Sequence, residues 1–128
     1  RMAGASYTTE WLADCLRGRG LTSLEGAIAH LTDVPARFFG LVERGRLSEG
    51  WHADVVVFDP ETVGASEFHL RHDLPGESPR LYADSLGVER VYVNGICTIV
   101  DGQPVGALPG RVLRSGVDTE TVPIPADQ

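Results

Sequence analysis

The sequence predicts an α+β fold in which three helices are followed by a small antiparallel sheet. Up to residue 46, apolar residues recur at the spacing of amphipathic helices. Beyond that point, short valine- and isoleucine-rich runs are bounded by glycine and proline, which is the pattern of strands. Asn94 and Gly95 separate two such runs and form the preferred dipeptide of a type I′ hairpin turn. The 128 residues suffice for one domain.

The first helix is predicted at residues 8–19. Its apolar residues share one face and are Trp11, Leu12, Cys15 and Leu16. Gly18 and Gly20 supply the signals that end it. The second cysteine, Cys97, falls in a different predicted element, so we interpret both thiols as reduced packing residues.

The second helix is predicted to begin at Thr22, which forms a capping box with Glu25. Its buried stripe comprises Leu24, Ala27, Ile28 and Leu31. A third, short helix is expected to follow, with Pro35 in its first turn. It carries a bulky face formed by Phe38, Phe39 and Leu41. Gly40 is expected to end it in a left-handed conformation.

Three strands are predicted, at residues 53–60, 88–93 and 96–100, and Asp101-Gly102 forms a further turn. In the first strand Val55 and Val57 face one side while Val56 and Phe58 face the other, so both sides are apolar. The helices can cover only one side. An apolar sheet with open edges therefore indicates pairing with further strands that are not in this sequence.

Two segments are predicted to be irregular. Residues 61–87 are rich in charge, proline and glycine, and we expect a long loop across a surface. Residues 115–128 offer little apolar surface to offset the entropy of ordering and are expected to form a flexible tail. The predicted organisation is helices over 1–46, a sheet portion over 47–114 with the loop 61–87 inserted, and the tail.

The net charge of −7 disfavours nucleic acid and anionic membranes as partners, because both carry negative charge. All eleven basic residues are arginine, so no lysine can form a Schiff base, a P-loop contact or a carbamylated metal bridge. No apolar run approaches the roughly 20 residues that cross a bilayer, and residues 1–6 lack the apolar core of a signal peptide. We expect a cytoplasmic protein without nucleic-acid or membrane partners.

The densest group of potential metal ligands comprises His69, Arg71, His72 and Asp73. Two histidines three residues apart can share a helix face and hold zinc, but a zinc site needs three or four ligands. Since this group lies in the predicted loop, beside Pro75, we favour no metal site there. Elsewhere, His30 lies in the last turn of a helix, where it suits the helix dipole, and His52 opens a strand in a surface or packing role. Gly102 and Gly106 have the wrong spacing for a phosphate loop.

Three stretches carry longer motifs. They are LTDVPARFFGL at residues 31–41, RGRLSEGWHADVVVFDP at 44–60, and VYVNG at 91–95 followed by GALPGRVLR at 106–114. Together they resemble the carboxy-terminal part of the amidohydrolase superfamily, and most closely the N-acyl-D-amino-acid deacylases, or D-aminoacylases. The second stretch is similar to a motif shared across the superfamily, and the third is typical of the deacylase branch.

The resemblance implies that the helices end a TIM-like barrel and that the strands belong to a β-sandwich domain. Such enzymes bind one or two metal ions, usually zinc, through a His-x-His pair, a bridging residue, later histidines and a final aspartate. A metal-activated water then attacks the amide carbonyl. No His-x-His pair occurs here, and the chain is expected to begin just downstream of the final aspartate.

The resemblance therefore implies a fragment of an enzyme that hydrolyses N-acyl-D-amino acids, with zinc in the intact parent and no catalytic, substrate-binding or metal residue in this chain, which is inactive alone. Ser6, Tyr7 and Thr8 could line the pocket of the intact enzyme, but capping of the first helix by Ser6 or Thr8 is favoured. The expected partner is the rest of the barrel, or a second copy through sheet edges. A free-standing binding or assembly module, and a dihydroorotase-like or hydantoinase-like branch, are the alternatives.

Overall fold

A computed structural model describes residues 6–123, and these residues form an α+β fold with the helices before the strands. The helices are α1 (Tyr7–Ala13), α2 (Leu24–Leu31) and α3 (Asp33–Phe38). The chain continues from α1 through a single π-helical stretch at Asp14–Gly18, so the first predicted helix is not α-helical throughout. The three helices predicted from apolar spacing are confirmed.

The second helix begins one residue later than predicted. Ser23, not Thr22, is its N-cap, because the Ser23 hydroxyl accepts a hydrogen bond of 3.2 Å from the Gly26 N–H. Ser23 has the extended backbone of an N-cap, with φ −67° and ψ 165°. A backbone hydrogen bond and the Ser23 hydroxyl lower the pKa of Glu25 in the first turn.

The predicted left-handed end of α3 is confirmed at Gly40, whose φ is +64°. A Cβ at this position would lie 2.0 Å from the Glu120 carbonyl oxygen, so only glycine fits. The bulky face of α3 is exposed rather than buried. Phe38 and Phe39 contact each other edge to face, with ring centroids 5.1 Å apart, and both remain open to solvent.

The strands lie in three antiparallel sheets. They are β1 (Val55–Phe58), β2 (Gly64–Ala65), β3 (His69–Leu74), β4 (Ser78–Tyr82), β5 (Ser85–Leu86), β6 (Val88–Val93), β7 (Ile96–Val100) and β8 (Gln103–Pro104). The principal sheet has the order β1, β6, β7, β8, while β2 pairs with β5 and β3 pairs with β4. The three predicted strands correspond to β1, β6 and β7, and the principal sheet has β8 in addition.

Both predicted tight turns of the principal sheet are confirmed. Asn94 and Gly95 have φ values of +49° and +78° between β6 and β7, as a type I′ turn requires. Asp101 and Gly102 repeat this pattern, at +48° and +75°, between β7 and β8. Local turn chemistry thus fixes the register of three of the four strands.

The expectation of an irregular loop at 61–87 is wrong, because this segment contains β2, β3, β4 and β5. Strands β3 and β4 form a two-stranded hairpin over residues 69–82, here named the β3–β4 ribbon. Its turn, Pro75–Glu77, has a left-handed Gly76 with φ +72°. The sequence does not reveal the ribbon because β3 is exposed along its whole length and β4 at three of its five residues, so the alternation of apolar and polar residues that burial produces is weak.

The segment after Arg114 differs from the loose tail that was expected. The Glu120 N–H donates to the Gly40 carbonyl oxygen at 2.8 Å, and the Val42 N–H donates to the Asp118 carbonyl oxygen at 3.1 Å. These bonds flank an isolated bridge between Leu41 and Thr119. Backbone pairing, rather than apolar burial, therefore holds this segment beside the end of α3, and residues 124–128 lie outside the described part.

A small core joins the helices to the strands. It is centred on Leu12, Cys15, Ala27 and Val63, with partly buried apolar residues from α1, α2 and β1 around it. Val63 is fully buried although it lies in the predicted loop. The Arg17 guanidinium donates hydrogen bonds to the Pro60 and Val63 carbonyl oxygens and so ties the end of the first helix to the turn after β1.

Strand β1 is an edge of the principal sheet, and it pairs only with β6 among the described residues. Val56 and Val57 are exposed, although their side chains face opposite sides of the sheet. Strand β1 is thus apolar on both sides, as the sequence predicts, and the described residues do not fully cover either side. No helix within residues 6–123 has the length and apolarity to cross a membrane.

Candidate functional site

The two histidines of the predicted ligand group lie on strand β3, not on a helix. The His69 ring packs edge-on to the Tyr82 ring, with centroids 5.9 Å apart, and its Nε2 lies 3.6 Å from an Asp84 carboxylate oxygen. The His72 Nδ1 instead lies 3.0 Å from the Glu77 carbonyl oxygen. Each ring therefore has its own local partner, and the pair does not converge on a common point.

Asp73, the acidic member of the same group, is held by two arginines. Arg80 donates to both carboxylate oxygens at 2.6 Å, and the Arg71 Nε lies 3.3 Å from one of them. The hydrogen bond from Arg80 lowers the pKa of Asp73, because it stabilises the carboxylate. The same contact raises the pKa of Arg80. Both carboxylate oxygens of Asp73 are thus occupied by ion pairs with arginine rather than free to bind a metal ion.

The two arginines also flank one aromatic ring. The guanidinium carbons of Arg71 and Arg80 lie 4.6 and 4.7 Å from the centroid of the Tyr82 ring. Such cation–π contacts are favourable at these distances. His69, Arg71, Asp73, Arg80 and Tyr82 therefore form one internally paired polar cluster, which braces the ribbon.

No group of three or more His, Cys, Asp or Glu side chains in the described part of the chain is placed to hold a metal ion. The residues described here therefore do not fit the metal centre that the family resemblance implies. Cys15 is buried in the core, and Cys97 is half-buried with its Sγ 3.3 Å from the Ile99 carbonyl oxygen. Neither thiol has metal-binding neighbours among these residues.

The remaining sequence candidates occupy separate places. His30 lies in the last turn of α2, as predicted, and its ring stands edge-on to Trp11 at 6.3 Å. His52 precedes β1, and its backbone N–H donates to the Glu43 carbonyl oxygen at 3.1 Å. Gly102 and Gly106 both have positive φ, which fits their place in turns.

At the start of α1, Ser6 occupies the N-cap position, but its side chain forms no capping hydrogen bond. Its carbonyl oxygen instead accepts from the Glu10 N–H at 2.9 Å and from the Thr9 hydroxyl at 3.2 Å. The favoured interpretation of side-chain capping by Ser6 is therefore wrong, and Thr8 lies inside the helix. Ser6 is buried, whereas Tyr7 is exposed.

A polar network that the sequence did not predict joins the motif-bearing stretches. The Arg44 guanidinium pairs with Asp54 and donates to the Asn94 side-chain oxygen at 3.0 Å. The other Asp54 oxygen accepts from the Asn94 backbone N–H at 2.9 Å, and the Asn94 amide donates to the Pro109 carbonyl oxygen at 2.8 Å. The Arg44 side chain is only 11% exposed. The stretches 44–60, 91–95 and 106–114 thus meet at one point.

Comparison with known proteins identifies the group to which these motifs belong. The model of the amidohydrolase family matches residues 2–105. The chain belongs to the amidohydrolase family. The match includes the helices, the β3–β4 ribbon and the whole principal sheet, so the family signal is not confined to one motif.

Among relatives of this amidohydrolase chain are two deacylases of Alcaligenes xylosoxydans xylosoxydans. The N-acyl-D-glutamate deacylase is 42% identical over 106 residues, which cover 83% of this chain and 20% of the relative. The N-acyl-D-aspartate deacylase is 39% identical over 109 residues, covering 84% of this chain and 20% of the relative. The chain therefore spans about a fifth of the length of the curated relatives it matches.

Solved structures of D-aminoacylase are similar to this amidohydrolase chain. A D-aminoacylase mutant in complex with copper chloride has a TM-score of 0.65 and 38% identity, over 83% of this chain and 20% of that one. A second D-aminoacylase, studied for its binuclear metal centre, has a TM-score of 0.60 and 36% identity, over 78% of this chain and 19% of that one. The resemblance to D-aminoacylases that the sequence motifs indicate is confirmed.

Proposed function

We propose that this chain is part of a metal-dependent amidohydrolase that cleaves the amide bond of N-acyl-D-amino acids, releasing a carboxylate and a free amine. The observation that carries the proposal is the identity of 42% to an N-acyl-D-glutamate deacylase over most of the chain. The network of Arg44, Asp54 and Asn94 supports it, because the motif stretch at 44–60 and the stretch at 91–95 with 106–114 are hydrogen-bonded into one unit. If the motif stretches resembled the family only by chance, there would be no reason for them to contact one another in the folded chain.

Within this proposal, the chain has no turnover alone, and the metal ligands and the reactive water belong to other parts of the protein. The paired state of Asp73 and the separate partners of His69 and His72 support this. When bound, a metal ion, with zinc expected, supplies Lewis-acid activation of water. The contribution of this chain is structural, through helices at the end of a TIM-like barrel and strands of a β-sandwich in the cytoplasmic parent.

A fusion tests the proposal. The segment of N-acyl-D-glutamate deacylase that matches this chain is replaced by this chain, and hydrolysis is measured with N-acetyl-D-glutamate, N-acetyl-D-aspartate and a neutral N-acetyl-D-amino acid. The L-enantiomers are the matched controls. We expect the fusion to hydrolyse at least one D-substrate and the isolated chain with zinc to hydrolyse none. Enzyme-like rates from the isolated chain, or a fusion inactive on every D-substrate, contradict the proposal.

The second candidate is a free-standing binding or assembly module that pairs through its sheet edges. The open edge at β1, with Val56 and Val57 exposed, favours it, because unpaired edge strands readily accept another strand. Light scattering of the purified chain separates the two candidates. A folded monomer excludes edge pairing between copies, whereas a dimer that a Val56→Lys variant abolishes supports it. A dihydroorotase-like or hydantoinase-like parent would be revealed by a fusion that prefers cyclic amides.

A further inference from the structure

The β3–β4 ribbon carries an apolar pair that no other described residue covers. Leu70 and Leu81 are directly opposed across the two strands, and they are 61% and 68% exposed. Phe68, just before β3, and Leu74, at its end, are exposed as well. Strands β3 and β4 chiefly contact each other and their own turn. The ribbon therefore stands apart from the core around Val63.

The opposite face of the ribbon has its polar groups paired. Alternation along a strand places Leu70 on one side and its neighbours His69 and Arg71 on the other. That other side holds the cluster in which Arg71 and Arg80 flank the Tyr82 ring and bind Asp73. A two-stranded ribbon is only marginally stable in water without such contacts. The cluster thus holds the strands in register, and the leucine face is left without a role in this chain.

We propose that the leucine face of the β3–β4 ribbon, formed by Leu70 and Leu81, docks onto the catalytic portion of the same amidohydrolase, which this chain lacks. The inference rests on the proposed function. The relatives are about five times as long as the matched part, so most of their surface is formed by polypeptide outside it. The ribbon lies within the region that the family model matches, and so belongs to the shared architecture.

Charge favours this use of the ribbon. The ribbon contains Arg71 and Arg80 against Asp73 and Glu77, so its formal charges cancel. The net charge of the whole chain is −7, so all of the excess negative charge lies elsewhere. A neutral apolar face loses little solvation energy when it is covered. The ribbon therefore brings no net charge of its own to a contact with another part of the protein.

A second copy of the chain is a poorer occupant. A stable interface between separate proteins buries on the order of 1,200–2,000 Å², which two leucines and their neighbours do not supply. Two copies that each carry −7 also repel each other. Docking within one polypeptide needs far less area, because covalent linkage removes most of the entropy cost of association.

The fusion described above tests the inference through hydrogen–deuterium exchange and thermal unfolding. Leu70→Ser with Leu81→Ser is compared with Val117→Ser, which changes a residue that is even more exposed and lies beyond the family match. In the isolated chain we expect neither variant to shift Tm, since all three side chains are exposed. In the fusion we expect slower exchange at residues 69–82 than in the isolated chain. The leucine variant should lower the Tm of the fusion by several degrees, and the valine variant should not.

An active fusion with an unprotected ribbon and an unchanged Tm overturns the docking. A dimer of the isolated chain that the leucine variant abolishes also overturns it, because a second copy then occupies the face. A protected ribbon in a fusion inactive on every substrate supports the docking while contradicting the proposed function. If the serine variant does not fold, Leu70→Ala with Leu81→Ala, which adds no polar group, is measured in its place.

Discussion

The Arg44 guanidinium and the Asn94 side-chain oxygen are joined by a hydrogen bond of 3.0 Å across fifty positions of sequence. Because Arg44 is nearly buried and also pairs with Asp54, we predict that Arg44→Met destabilises the chain by about 1–3 kcal/mol. Urea unfolding followed by circular dichroism measures the change. Arg19→Met is the control, since Arg19 pairs with Asp14 in the open and its loss should cost under about 1 kcal/mol. Equal effects of the two substitutions would contradict a special role for Arg44.

The Asn94 side chain is predicted to stabilise its turn beyond the backbone preference for positive φ. Asn94→Ala removes hydrogen bonds to Arg44 and to the Pro109 carbonyl oxygen, and it places alanine at φ +49°. Asp101→Ala imposes the same backbone penalty at φ +48° in the next turn. We expect Asn94→Ala to lower the free energy of unfolding by about 1–2 kcal/mol more than Asp101→Ala does. Paired denaturant titrations measure this difference, and its absence would assign the whole effect to the backbone.

Val63 is predicted to be the most sensitive aliphatic residue outside the helices. It is fully buried against α1 and α2, so Val63→Ala removes two methyl groups from a closed site. The expected loss of stability is about 2 kcal/mol, from lost burial and from the cavity that remains. Val112→Ala, at an exposed position, should change stability by less than about 0.5 kcal/mol. Thermal and urea unfolding of both variants provide the test.

The pH dependence of stability should carry a contribution from Asp33. Arg46 donates to both Asp33 oxygens, at 2.5 and 3.2 Å, and Arg37 lies 2.7 Å from one of them. The hydrogen bond from Arg46 lowers the pKa of Asp33 in the folded chain. A lowered pKa means that the stabilisation is fully present above the unfolded value, near pH 4, and is lost as pH falls through the folded value.

Melting curves between pH 2 and pH 7 test this contribution. The unchanged chain should lose stability below about pH 4 more steeply than Asp33→Asn, which has no charge to titrate. Arg46→Met should flatten the same part of the curve, because it removes the group that lowers the pKa. If stability falls with the same slope below pH 4 in all three proteins, Asp33 contributes nothing to the pH dependence of stability.

The sequence predicts those parts of the structure that depend on neighbouring residues. The helices follow from apolar spacing, and the turn at Asn94-Gly95 follows from the need for two positive φ values. The start of α2 was displaced by one residue because Thr22 and Ser23 are both good capping residues, and only the backbone distinguishes them. The β3–β4 ribbon is not predicted because β3, which is exposed along its whole length, carries no burial pattern.

The polar network at Arg44 could not be predicted for a different reason. Its members lie on separate stretches, and no local rule links an arginine before β1 to a turn after β6. The sequence identifies the group around Asp73 as potential ligands, and of that group Arg71 and Asp73 contact each other, whereas His69 and His72 have separate partners. Its chemistry was decided by Arg80 and Tyr82, which lie on the partner strand and approach only after the hairpin forms.

The bridge between Leu41 and Thr119 places the two ends of a long stretch of chain side by side. All eight strands of residues 6–123 lie between these two positions, so the strand-bearing stretch begins and ends at one place beside α3. A segment with adjacent ends can be spliced into a surface loop of a host protein without stretching that host. The strands thus leave and rejoin the helical part at adjacent backbone positions, while Val63 and Arg17 tie them to the first helix as well.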